Sequence, residues 1–91
     1  MTRYRVPERV GVVRQDDDVF VARLPAGPIM RLSGTAAVIW IEALSDADGT
    51  IAGRVALAVT SSESEIAEGV SEFIQTLITG GLLVERVGEA Y

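Results

Sequence analysis

The stretch Leu32-Ser33-Gly34-Thr35-Ala36-Ala37-Val38-Ile39-Trp40 decides how this chain reads, because two-residue alternation ends in it and helical periodicity begins. Just upstream, Ile29-Met30-Arg31-Leu32 is too short for a helix and is bounded by turn residues, which makes it a strand. Met30 and Leu32 share one face of that strand, while Ile29 and Arg31 share the other. Since Leu32 leads into the helix, the Met30 face is expected to be the buried one. Downstream, Ala36, Ala37, Ile39, Trp40, Ala43 and Leu44 supply a broad apolar helical surface, and Ser33 is placed to cap it. Trp40, the sole tryptophan, sits at helical spacing among Ala and Ile, where such a residue is more often core than a ligand-stacking group.

Toward the N-terminus, Val10-Gly11-Val12-Val13-Arg14 and Val19-Phe20-Val21-Ala22-Arg23-Leu24 are β-branched runs separated by Gln15-Asp16-Asp17-Asp18. That pattern predicts a hairpin with a solvated acidic tip. Tyr4-Arg5-Val6-Pro7 reads as an arginine-rich lead-in, with Pro7 arguing against a long central strand. Pro25-Ala26-Gly27-Pro28 breaks the chain before the third strand. Toward the C-terminus, Asp46-Ala47-Asp48-Gly49 stops the first helix and Thr50 can cap a second, Ile51 to Val59. Gly53 weakens that helix by about 1 kcal/mol relative to Ala. Ser62-Glu63-Ser64-Glu65 matches a capping box, and Ile66, Val70, Phe73, Ile74, Leu77 and Ile78 carry a third helix to about Thr79. Gly80-Gly81 provides a left-handed stop, and Leu82-Leu83-Val84 returns against the core. The expected fold class is α+β, a three-stranded antiparallel sheet followed by three helices, in a single domain over residues 1–91.

Composition narrows the chemistry. The 91 residues contain no cysteine, no histidine and no lysine, which removes thiolate nucleophiles, disulfides, the commonest metal ligands and Schiff-base catalysis. The Asp16–Asp18 triplet lacks the wider alternating spacing and further donors of a calcium loop, so no metal is expected. Ser61, Ser62 and Ser64 lie together as cap residues without a base, and no acid–base pair stands out. The chain therefore reads as a non-enzyme without a cofactor. Residues 1–31 carry six arginines against four acids and residues 32–91 carry two against nine, giving +2 and −7 and a net charge of −5. A DNA reader gathers its cations on the helix that meets the phosphates, whereas here the helical half is the acidic one, so nucleic acid is a poor partner. No apolar run approaches the roughly 20 residues of a membrane span. Met1 to Arg5 leads into Pro7, Glu8 and Arg9 rather than an apolar block, so no secretory signal is expected and the cytoplasm is the default compartment.

What is left is a binding module. The strand Ile29–Leu32 is an edge still needing a partner. Glu65, Glu68, Glu72 and Gln75 or Thr76 lie off the apolar stripe of the last helix, either as a solvated face or as the rim of a groove.

The short strands, then Leu32 through Trp40, then Val70, Phe73, Ile74 and Leu77 ahead of Gly81-Leu82-Leu83 resemble the PqqD-like family over roughly residues 8–85. In that family a leucine, a polar residue, a small residue and Thr-Ala-Ala precede an Ile-Trp pair, and a late helix ends in Gly-Leu-Leu. Gly53-Arg54 departs from it, standing where the family more often carries acidic residues. The resemblance implies a winged helix-turn-helix-like recognition element for ribosomally synthesised, modified peptides, which captures the leader of a precursor. By position, the leader would add a strand along Pro28, Ile29, Met30, Arg31 and Leu32, with Glu65, Gly69, Glu72, Phe73 and Thr76 as the opposite wall. Gly69, a glycine inside a helix, could leave room for a bulky leader side chain or for a packing neighbour. Free-standing members resemble the partners of lasso-peptide maturation, which pass the precursor to a separate leader peptidase and a cyclase. A peptide chaperone for a radical enzyme, a winged-helix DNA-binding regulator and a purely structural subunit are the alternatives.

Overall fold

The elements β1 (Tyr4–Arg5), β2 (Val10–Gln15), β3 (Asp18–Arg23), β4 (Ile29–Leu32), α1 (Thr35–Ala43), α2 (Ile51–Val59), α3 (Glu63–Thr79) and β5 (Val84–Glu85) follow one another along residues 3–86, which the computed structural model describes. Residues 1–2 and 87–91 of the expected 1–91 domain lie outside the described residues. The hairpin between β2 and β3 turns on Asp16 and Asp17, with Asp16 at φ 56°, a conformation that a short polar side chain tolerates. β3 is the middle strand of an antiparallel sheet ordered β2-β3-β4. The protein is thus α+β, with a three-stranded antiparallel sheet and three helices.

Pleating sends Val19 and Val21 of β3, and Leu32 of β4 opposite Val19, into the core. There they join Ile39 and Trp40 of α1, Val55 of α2, Leu77 of α3 and Leu83. Trp40 is a core residue at 2% exposure. Fully burying side chains of this size stabilises by roughly 1.5–3 kcal/mol each, which makes this cluster the main glue of a small domain.

Local chemistry starts and stops the helices, with one correction. Ser33 does not cap α1: Gly34 holds the N-cap position at φ 59°, and no side chain bonds the helix start. A sharp exit from β4 into α1 needs a positive φ, which glycine adopts at least cost. Thr50 caps α2 as expected, its Oγ1 accepting the Gly53 N–H at 2.9 Å and donating to Glu63 Oε2 at 2.8 Å, which ties the starts of α2 and α3 together. α3 ends at Thr79, where the Leu82 N–H donates to Leu77 O (2.9 Å) and the Gly81 N–H to Ile78 O (3.0 Å). Only Gly81 is left-handed, at φ 77°; Gly80 stays right-handed.

The lead-in also differs from expectation. Tyr4 and Arg5 form a short strand that pairs antiparallel with Val84 and Glu85. Pro7 stays outside it, and pairing between opposite ends of the chain leaves no local pattern to read. Asp46 reinforces this closure by accepting from Arg3 (2.6 Å) and Arg86 (3.1 Å), although exposed ion pairs contribute at most about 1 kcal/mol. Burial, and then the Glu85 carboxylate, push the Tyr4 phenol above its ordinary value. No helix among the described residues is long and apolar enough to cross a membrane.

Arg54 of α2 is fully engaged. Its Nε donates to Glu42 Oε1 (3.0 Å) and its Nη2 to Glu42 O (3.0 Å). Its Nη1 donates to the carbonyls of Ala47 (2.9 Å), Asp48 (3.1 Å) and Gly49 (2.8 Å). One guanidinium therefore closes the C-terminal end of α1, where a cation is favoured by the helix dipole, and organises the whole loop to α2. Arg54→Ala is expected to cost about 2–3 kcal/mol, lowering Tm in a circular-dichroism melt by roughly 10–20 °C. Arg54→Lys should recover little of that, because an ammonium cannot span Glu42 and three carbonyls at once.

Candidate functional site

β4 is the last strand of its sheet: one edge pairs with β3, and no strand among the described residues covers the other. Its four residues behave differently along their length. Leu32 is 2% exposed, Met30 41% and Ile29 74%. The expectation that the whole Met30 face is buried is therefore corrected. The helix that packs on β4 is α1, which begins three residues beyond Leu32, whereas the Pro28 end lies over a groove. The Leu32 side chain belongs to the core and is closed to a ligand. Arg31 is engaged with Asp18, its Nε donating at 2.9 Å and its Nη2 lying 2.7 Å from the same oxygen. The acidic tip is thus split: Asp16 and Asp17 face solvent, while Asp18 bridges β3 to the edge strand.

The groove has a volume of about 600 Å3 and is lined by Arg23, Leu24, Pro25, Ala26, Gly27, Pro28, Met30, Gly80 and Leu82. It joins the start of β4 to the end of α3. Pro28 and Met30 are the two expected site residues that it brings together; none of the five expected residues of α3 lines it. On α3, Phe73 is half-buried against the core, while Glu65, Gly69, Glu72 and Thr76 are exposed. With 3.6 residues per turn, positions 69, 73, 76 and 80 fall along one line of the helix, and Gly80 at its end reaches the groove wall. Gly69, Phe73 and Thr76 thus lie along the helical line that ends at the groove, while Glu65 and Glu72 lie off it.

Sequence reasoning missed Arg23, Leu24, Gly80 and Leu82. The available signal was the run Pro25-Ala26-Gly27-Pro28 directly before an edge strand, two prolines that offer no N–H to a ladder.

Two of the α3 residues have specific local explanations. Ser62 Oγ donates to Glu65 Oε1 at 2.9 Å, and the Ser62 N–H reaches the same atom at 3.4 Å. These side-chain and then backbone bonds hold the Glu65 carboxyl below its ordinary value, with a smaller contribution from Ser61. Thr76 Oγ1 donates along the helix to Glu72 O at 3.0 Å. At Gly69 an added methyl group would meet no atom within 4 Å, so no packing neighbour accounts for the glycine among the described residues.

Comparison of the chain with family models, with curated proteins and with solved structures found no match in any of the three.

Two outcomes are expected from this geometry. Gly69→Ala should stabilise the protein by about 0.5–1 kcal/mol in urea unfolding, since the methyl adds helix propensity without a clash. The bonds to Glu65 favour its charged form, so their contribution is present at neutral pH and disappears as pH falls through the lowered folded-state pKa. Glu65→Gln should therefore flatten the acid limb of a stability–pH profile and leave the alkaline limb unchanged.

Proposed function

We propose that this protein binds the leader segment of a ribosomally synthesised precursor peptide by β-strand addition at β4. The observation that carries the reading is the open edge of β4, with Ile29 and Met30 exposed along it. A leader that is disordered alone can order itself on such an edge, gaining main-chain hydrogen bonds and side-chain pockets together.

The magnitudes support a combined edge and groove. In a four-residue strand, alternate residues turn their N–H and C=O outward, so β4 offers two such residues and up to four hydrogen bonds. At a net value of roughly 1 kcal/mol each, these give about 4 kcal/mol, and a micromolar complex needs about 8 kcal/mol after ordering costs. Apolar burial must supply the difference. The groove beside Met30 and the flank of α3 through Phe73 are positioned for it.

In this reading the protein has a winged helix-turn-helix-like arrangement of the PqqD-like kind and performs no chemistry itself. It presents the precursor to a separate leader peptidase and cyclase, as in lasso-peptide maturation. DNA binding is disfavoured by the same helices: Arg54, the one cation on α1, α2 and α3, is consumed by Glu42 and the loop carbonyls.

The test is a fluorescence-anisotropy titration with labelled N-terminal segments of short precursor-like peptides sought in the reading frames neighbouring this gene, using Met30→Pro and Arg31→Pro. Successive N–H groups alternate between β3 and the open edge, so one substitution removes an outward donor and the other breaks the native ladder. Leader binding should fall at least tenfold in the variant that keeps its thermal stability. Unchanged affinity in that folded variant rules out strand addition at β4.

A further inference from the structure

Pro28 marks where main-chain pairing along β4 ends, because a proline has no N–H to offer an added strand. A bound peptide that continues past Ile29 therefore finds fewer main-chain donors, and the groove lies at that point. Its walls are apolar: Leu24, Pro25, Pro28, Met30 and Leu82. Its one charged lining residue is Arg23.

The Arg23 side chain lies across Gly81. A methyl group added at Gly81 would sit 3.2 Å from Arg23 Nε and 3.3 Å from its Cδ. The glycine therefore does two things at once: its φ of 77° ends α3, and its bare Cα makes room for the arginine. Arg3, Arg31, Arg54 and Arg86 are each engaged with a carboxylate. The guanidinium groups of Arg5, Arg9, Arg14 and Arg23, by contrast, meet neither a carboxylate nor any other hydrogen-bond acceptor among the described residues, and of these four Arg23 is the one that lines the groove. An unpaired guanidinium beside an apolar wall keeps its planar fork of donors for a carboxylate, and an occupant that excludes water strengthens that pair.

We infer that this groove is the specificity pocket of the edge, and that it selects a peptide carrying an Asp or Glu beside a large apolar side chain. The apolar side chain fills the space between Met30, Leu82 and the two prolines, and the carboxylate pairs with Arg23. The inference rests on the peptide-binding reading and assigns the chemistry of its ligand.

The test uses a displayed library of random linear peptides, panned on the full chain and on Arg23→Glu. Arg23 is exposed, and circular dichroism checks that both proteins are folded; Arg23→Gln serves as a second variant that removes charge without reversing it. The native chain is expected to enrich peptides with an acidic residue next to a large apolar one. Arg23→Glu should instead enrich Lys or Arg at that position. Arg23→Gln should weaken the natively selected peptides roughly tenfold, and added salt should weaken their binding to the native chain. Enrichment without an acidic preference, or the same peptides selected by the native chain and by Arg23→Glu, overturns the inference and leaves peptide binding standing. No enrichment on the native chain overturns both.

Discussion

Everything that faces outward on this protein depends on how β4 is joined to α1. Leu32 is buried beside Val19, and the helix begins three residues later, after Gly34 has turned the chain at φ 59°. The edge strand is therefore anchored at one end in the same core that holds Trp40. Its other end opens on the groove beside the end of α3. One short strand thus has a rigid root and an exposed tip, which is what a peptide-accepting edge requires: a pre-organised ladder whose ordering is already provided by folding. An edge that had to order itself on binding would add its own entropy to that of the peptide.

The two arginines nearest in role are used in opposite ways. Arg54 is 15% exposed and engages all three guanidinium nitrogens inside the protein, on Glu42 and three loop carbonyls. Arg23 lies over a glycine at the lip of a groove, with no acceptor among the described residues. The same side-chain chemistry serves as an internal clamp in one place and is left without an acceptor among the described residues in the other. The difference is environment: α1 ends in orphan carbonyls that demand donors, while the groove is walled by prolines, leucines and a methionine that offer almost no acceptors.

Much of the fold was legible in the residues themselves. Alternation marked β2, β3 and β4; Thr50 and the Ser62–Glu65 box marked the starts of α2 and α3; and the glycines after Thr79 marked the end of the last helix. These are signals within a few positions of one another, where propensity and capping act. Ser33 does not cap α1 because the angle at which β4 enters the helix, a tertiary matter, puts Gly34 at that position. The strands β1 and β5 were missed because their partners lie at opposite ends of the chain.

For the candidate site, sequence alone determined that Ile29–Leu32 is a strand, that the helical half is acidic, and that no cysteine, histidine or lysine is present to do chemistry. Only the tertiary structure decided which of those strand residues face outward. Period-two geometry pairs Met30 with Leu32 on one face, yet burial also requires something to lie against that face, and α1 covers the Leu32 end while the Met30 end opens on the groove. The groove itself could not be read from the chain in order, because Arg23, Met30, Gly80 and Leu82 become neighbours only when the end of α3 folds back beside the start of β4. Local pattern specifies elements; which surfaces are left uncovered depends on how those elements pack, a property of the assembled core.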